Sequence, residues 1–340
     1  MRIGITCNLK SDQPPVLGLP DDLQEEFDSP ATVQAVAGVL QRLGHEVDLL
    51  GDGREMLMRV LDDAPDFVFN FAEGHGVARS REARVPAVME MLNIPYTGSD
   101  PLTLAVTLDK DCARRLARSH GVTVPGGIVF SSRADLSAAA AWSQLPGPPW
   151  IVKPAWEGSS KGIRGKCVVD SPDEAAAAVR RLHNAYSQPV LVEEYVAGEE
   201  LTVGVIGNDP PRVIGVMRVI PTQASERFVY SLEVKRDWRR QVRYECPAAL
   251  PAAQLAAVEQ AALAAYCALG CRDVARIDFR LREGVAYFLE VNPLPGLNPE
   301  TSDLVILARM AGWSYDRLIG SILQAAMARH AATSVTTLPA

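Results

Sequence analysis

Two stretches in the last quarter of the chain, Ala275-Arg276-Ile277-Asp278-Phe279 and Phe288-Leu289-Glu290-Val291-Asn292-Pro293, alternate apolar with charged or amide side chains. Alternation at period 2 marks strands with one face in a core. With Arg282-Glu283-Gly284 as the turn, they form a β-hairpin in which Leu281 pairs with Val285 and Arg276 lies opposite Glu290. Ile277, Phe279, Leu281, Val285, Tyr287, Leu289 and Val291 then share one face. Arg276, Asp278, Arg280, Glu290 and Asn292 share the other. Charges on an alternating strand commonly face solvent. Two carboxylates and an amide on one rigid face also suit a hard cation such as Mg2+. That second reading predicts a nucleotide-handling segment elsewhere in the chain.

At 340 residues the chain exceeds the ~250–300 at which a single core stops growing, so two or three domains are expected. A net charge of −7 leaves no basic footprint for nucleic acid and no polybasic patch for a membrane. No apolar run is long enough to span a bilayer, which points to a cytoplasmic protein. Cys7, Cys112, Cys167, Cys246, Cys267 and Cys271 are scattered. Reduced thiols fit them better than disulfides or zinc.

The first ~100 residues alternate strand and helix, an α/β pattern with a parallel sheet. Arg2–Cys7, Glu46–Leu50 and Asp66–Phe71 read as strands, and Ser29-Pro30 as a helix start. The Pro/Asp/Glu-rich connection Lys10–Asp28 is long for a βα loop, and reads either as a functional loop or as a solvated insertion. Boundaries are expected to give an N-terminal domain over 1–99, a central unit over 100–195, a third unit over 196–328 and a frayed tail over 329–340.

The predicted nucleotide segment is Ile151–Ile163. It reads as a strand ending in Lys153, then the small-residue loop Gly158-Ser159-Ser160-Lys161-Gly162. Glycines let backbone N–H groups approach phosphate oxygens, the serines add hydroxyl donors, and Lys153 and Lys161 add charge. Such a loop alone is usually a plain turn. Neither the Walker pattern nor a dinucleotide fingerprint occurs.

Taken with Tyr96-Thr97-Gly98-Ser99, Leu108-Asp109-Lys110, Glu193–Val196, Gly198-Glu199-Glu200 and the hairpin, this loop makes the chain resemble the ATP-grasp ligases, and among them the D-alanine–D-alanine ligases. The resemblance implies an α/β fold of three-domain ATP-grasp architecture, with an N-terminal Rossmann-like domain and ATP held between the central and C-terminal domains. It implies that Lys110 and Lys153 hold ATP phosphates, with Ser160 beside them. Glu193, Tyr195, Val196 and Glu200 would contact adenine and ribose. Asp278, Glu290 and Asn292 would bind two Mg2+ ions, with Mn2+ a substitute. Arg276 would stabilise an oxyanion, and Ser159 would hold an N-terminal glutamate, either Glu25 or Glu26. Lys235 would sit on a mobile loop near the transferred phosphate. The implied reaction joins two D-alanines through an acyl phosphate, in cell-wall (peptidoglycan) synthesis, with amino acids as the partners and a homodimer as the assembly.

Departures fall on the substrate contacts. Arg236 stands where the family has a tyrosine, Glu73 lies in place of a histidine-glycine stretch, and Asn298-Pro299-Glu300-Thr301-Ser302 replaces a serine-leucine pattern. Glu73, Arg236, Gly296 and Thr301 are the candidate substrate residues, with Arg79 and Arg81 as further charges nearby. Two other readings stay open: a carboxylate–amine ligase for other amino acids or a peptide, and a non-catalytic ATP-binding regulator.

Overall fold

The computed structural model describes residues 1–11, 18–132, 134–137 and 142–336. Residues 12–17 of the Lys10–Asp28 connection and 337–340 of the predicted tail lie outside the described residues.

The chain builds three sheets in sequence. The first is parallel, in the order β2-β1-β3, from β1 (Arg2–Thr6), β2 (Glu46–Gly51) and β3 (Phe67–Asn70). Helix Pro30–Arg42 starts where Ser29 Oγ accepts the Thr32 amide and Pro30 occupies the first turn. Its Val33, Val36, Val39 and Leu40 pack on Ile3, Ile5 and Phe69. The C-terminal helix Tyr315–Thr336 covers the same core through Leu318, Ile319, Ile322 and Leu323. This helix runs on through Arg329 and His330, both assigned from sequence to a frayed tail. Arg329 bonds Asp273 at 2.8 Å and the Tyr96 and Gly98 carbonyls, so a buried charge pair anchors the turn.

The second sheet is antiparallel, in the order β4-β7-β5-β6, from β4 (Gly127–Phe130), β5 (Trp150–Pro154), β6 (Val168–Val169) and β7 (Val190–Glu194). Helix Pro172–Tyr186 lays Ala175, Ala178, Val179 and Leu182 on it. The third sheet is antiparallel, in the order β10-β9-β8-β11-β12. Its strands are β8 (Glu199–Ile206), β9 (Arg212–Pro221), β10 (Val242–Glu245), β11 (Val274–Arg282) and β12 (Val285–Asn292). Helix Ala252–Ala268 covers one face of it, leaving the other for the site.

The β11–β12 hairpin forms, in a different register from the one expected. Its turn is the two-residue Glu283-Gly284, both at positive φ (53° and 80°), as tight hairpins require. Arg282 therefore pairs with Val285, Asp278 with Glu290 and Arg276 with Asn292. A bulge follows Asp278, with Leu289 as its extra residue. Ala286 and Phe288 thus face the core with Phe279, whereas Val285 is exposed and Leu289 lines a cavity on the polar side. The bulge restores the expected facing at Glu290, Val291 and Asn292.

Candidate active site

A cavity lies between the second and third sheets. Lys153 enters from the end of β5, Glu193, Tyr195 and Val196 from β7 and the residues after it, and Glu200 from β8. Asp278, Leu289 and Glu290 enter from the hairpin, Ser160 and Tyr230 from loops, and Lys235 from the short helix Leu232–Arg236. Lys153 Nζ lies 2.5 Å from Glu193 Oε1. Arg280 pairs with Glu200 at 2.6 Å and donates to the Gly198 and Phe228 carbonyls at 3.0 and 2.5 Å. Burial pushes the Glu200 carboxyl up even so. Apolar Ile151, Ile163, Val196 and Leu289 flank two lysines, a setting that suits a flat base joined to phosphates.

The polar face of the hairpin forms the inner wall. Arg276 bonds Asp278 at 2.9 Å and lies 3.8 Å from Glu290 and 3.7 Å from Asp303. Thr202 Oγ1 donates to Asp278 at 2.9 Å, and Asn292 Nδ2 lies 3.4 Å from the same carboxylate. Burial works to raise the Glu290 carboxyl, but Lys110 at 3.0 Å, together with Lys153, Lys235 and Arg276, holds it well below the ordinary range. Burial raises Asp278, against Arg276. Glu290 is thus the firmly ionised member of the pair. Among the described residues, no three His, Cys, Asp or Glu side chains converge as a metal site. Asp278, Glu290 and Asn292 still supply the hard oxygen donors that Mg2+ favours, and phosphate oxygens would complete such a set.

A second cavity of about 200 Å3 opens on the other side of Glu290, which lines both. Glu25, Glu26, Glu73, Lys110, Ser159, Arg276, Asn292, Gly296 and Thr301 line it, so most of the residues singled out in the sequence converge here. Glu26 is locked. It accepts the Gly158 amide at 2.5 Å and pairs with Arg81 at 2.9 Å and Lys161 at 3.0 Å. A Cβ on Gly158 would stand 2.9 Å from Glu26 Oε1, so this approach requires glycine. The contact expected from Ser159 is made instead by Gly158 and Lys161. Lys161, expected on phosphate, is turned inward to Glu26 and Glu157.

Glu25 points to the segment that the resemblance implies is a mobile loop over the site. Short helix Leu232–Arg236 is capped by Ser231 and carries Lys235 above the Tyr230 ring, 5.0 Å from its centroid. Arg236 pairs with Glu25 at 2.7 Å and Asp21 at 2.9 Å, which ties this helix to the N-terminal segment. Arg164 joins the same knot through Asp21 and Asp22.

Residues 116–324, more than half of the chain, match the family described as D-ala D-ala ligase C-terminus. A D-alanine–D-alanine ligase of Aquifex aeolicus is 34% identical over 294 residues, covering 86% of this chain and 93% of the relative. An uncharacterised Sinorhizobium fredii protein, y4sG, is 31% identical and covers 97% of this chain and 98% of its own length. The chain belongs to the D-alanine–D-alanine ligase family. The crystal structure of the Bacillus anthracis D-alanine–D-alanine ligase complexed with ATP superimposes with a TM-score of 0.73 at 24% identity, over 98% of this chain and 99% of that one. This likeness shows the shared ATP-grasp fold.

Within this D-alanine–D-alanine ligase family member, Tyr96–Ser99 is architectural. Thr97 Oγ1 accepts the Asn70 amide, the Gly98 amide donates to Asp273 at 2.8 Å, and Ser99 accepts the Arg272 amide, which joins the first sheet to the third. Arg79 stays on the surface with Asp109. Glu82, Glu157 and Asp303 carry no site assignment from the sequence, and Asn298 only as part of the stretch Asn298–Ser302 near the substrate contacts. Asn298 shapes the loop over Gly296 and Thr301 by accepting the Glu300 and Thr301 amides and donating to Thr32. Asp303 accepts the Tyr230 hydroxyl at 3.0 Å beside Arg276, and Tyr244 lies 2.5 Å from Tyr230. Asp303 is the first residue of helix Asp303–Met310.

Proposed function

We propose that the protein joins two D-alanines to form D-Ala-D-Ala, with ATP converted to ADP and phosphate. The observation that carries the reading is Glu290 shared by two cavities and ringed by Lys110, Lys153, Lys235 and Arg276. One cavity suits a nucleotide and the other small polar substrates, and the shared wall is where a phosphoryl group would cross. The carboxylate of one D-alanine attacks the γ-phosphorus and ADP leaves, giving an acyl phosphate. The amine of the second D-alanine attacks that carbonyl, phosphate leaves, and an amide remains. Phosphoryl transfer of this kind rests on positioning and charge neutralisation. The lysines supply charge on the nucleotide side. Arg276, held by Asp278, faces the oxyanion of the second step. Asp278, Glu290 and Asn292 would hold Mg2+, which, when bound, neutralises phosphate charge. Helix Leu232–Arg236, pinned by Arg236, acts as a lid that excludes the water that would hydrolyse the acyl phosphate.

The same reading divides the chain at about residues 100 and 196 and sets it in cytoplasmic cell-wall precursor synthesis, as a homodimer that light scattering would test. The function is tested by phosphate release from Mg-ATP with D-alanine, with product identified by mass. Arg276→Ala is expected to abolish dipeptide formation with ATP affinity nearly unchanged. Loss of ATP binding in that variant would make Arg276 structural and remove the oxyanion role.

A further inference from the structure

The carboxylates around the second cavity fall into two groups. Glu25, Glu26, Glu157 and Glu290 are each paired: with Arg236, with Arg81 and Lys161, with Lys161, and with Lys110. Asp28, Glu73 and Glu82 are not. Among the described residues none of their side chains makes an ion pair or a hydrogen bond, although all three line the cavity. Glu82 is only 7% exposed and still opens onto the cavity. The neighbouring Arg81 is turned away to Glu26 and the Trp156 carbonyl, so the nearest cation is already engaged. A buried carboxylate without a partner is costly, and Glu73 is repelled by both Glu82 and Asp28. Burial raises all three: Glu73 well above the ordinary range, with Glu82, Glu26 and Asp28 adding to it; Glu82 to about 8, with Glu26 and Glu157 adding; and Asp28 to about 7.

The α-ammonium of a bound amino acid offsets one such carboxylate and leaves two. We propose that the cavity admits, beyond D-alanine, an amino acid whose side chain carries a second cation, seated against Glu73 and Glu82. The inference rests on the ligase reading and extends its substrate class. The reaction is unchanged: the α-carboxylate is phosphorylated and an amine displaces phosphate, while the side-chain cation stays in its ion pairs.

The test uses the full-length protein with Mg-ATP and D-alanine as co-substrate. Both enantiomers of ornithine are compared with norleucine, and of 2,4-diaminobutyrate with norvaline, by phosphate release and product mass. Charge-assisted contacts of this kind predict a kcat/KM for the cationic member about tenfold or more above its neutral isostere. Glu73→Gln and Glu82→Gln should each bring that ratio towards one while the KM for ATP holds. If the wild-type ratio is one or less while D-alanine still turns over, the proposal fails and the ligase reading stands. A ratio that survives both substitutions also overturns it. If no amino acid, D-alanine included, drives phosphate release, both readings fall together. A variant that fails to fold leaves the wild-type ratio to decide.

Discussion

Arg236 is expected from the sequence to contact substrate, and the structure gives it ion pairs that can be sized. Its guanidinium bridges Glu25 at 2.7 Å and Asp21 at 2.9 Å. The arginine is 39% exposed, Glu25 22% and Asp21 54%. Pairs this open to water contribute ~0.2–1 kcal/mol each, so the two favour the closed lid by ~0.4–2 kcal/mol. That range is a ~2–30-fold change in the ratio of closed to open lid. Arg236→Gln removes the charge and leaves a shorter, neutral amide that can still hydrogen-bond.

The assay measures dipeptide formed and phosphate released in parallel, at low salt and near 1 M salt. The variant is expected to raise the amino-acid KM within that range and to release phosphate in excess of dipeptide, because an opened lid admits water to the acyl phosphate. High salt should push the wild type towards the variant, since screening shortens to ~3 Å at 1 M. Glu25→Gln should reproduce much of the effect, and the double variant should add less than the sum. Identical KM values and product-to-phosphate ratios for wild type and Arg236→Gln at both salt concentrations would refute the latch.

Other outcomes follow from the same geometry. Arg81→Met strips the buried Glu26 and Glu157 of one cation and should cost ~3–5 kcal/mol in denaturant unfolding; a loss under about 1 kcal/mol would mean that Lys161 alone suffices. Tyr230→Phe removes the shorter of the two tyrosine bonds to Asp303 beside Arg276, leaving Tyr244 at 3.4 Å, and should lower kcat with little change in the KM for ATP; unchanged kcat would detach Tyr230 from the oxyanion arginine. Glu82 and Asp28 titrate at about 8 and about 7 in the folded protein, above their unfolded values. The folded state therefore keeps protons that the unfolded chain gives up, and stability is complete below about pH 4 and declines as pH rises through those values. Glu82→Gln should flatten the decline, read as denaturant midpoints from pH 5 to 9; a wild-type profile that is flat there would contradict it.

Much of this arrangement can be read from the sequence because it is local. Period-2 alternation put Asp278, Glu290 and Asn292 on one face, and a serine followed by proline marked the helix start at Ser29. The hairpin register could not be read. A three-residue turn and a two-residue turn both fit Arg282–Gly284, and the bulge at Leu289 that reconciles the shorter turn with the buried faces has no sequence mark. The acid network was hidden for a different reason. In Arg79-Ser80-Arg81-Glu82 one arginine stays at the surface, the next is 1% exposed against Glu26 and Glu157, and the glutamate beside it faces the cavity alone. Residue type cannot separate these fates, because the partners lie up to 76 positions away and are brought together only by the fold. The same holds for Lys161. In the chain it sits in a phosphate-like loop, and only the arrival of Glu26 from 135 positions upstream turns it from a ligand-facing cation into the counter-charge that holds the loop to the N-terminal segment. The nucleotide-side chemistry lies on adjacent strands and is visible in one sequence. The substrate side is assembled from segments far apart in the chain, so its charge balance emerges only when they meet, and the unpaired Glu73 and Glu82 make that balance the feature of the site on which substrate choice should depend.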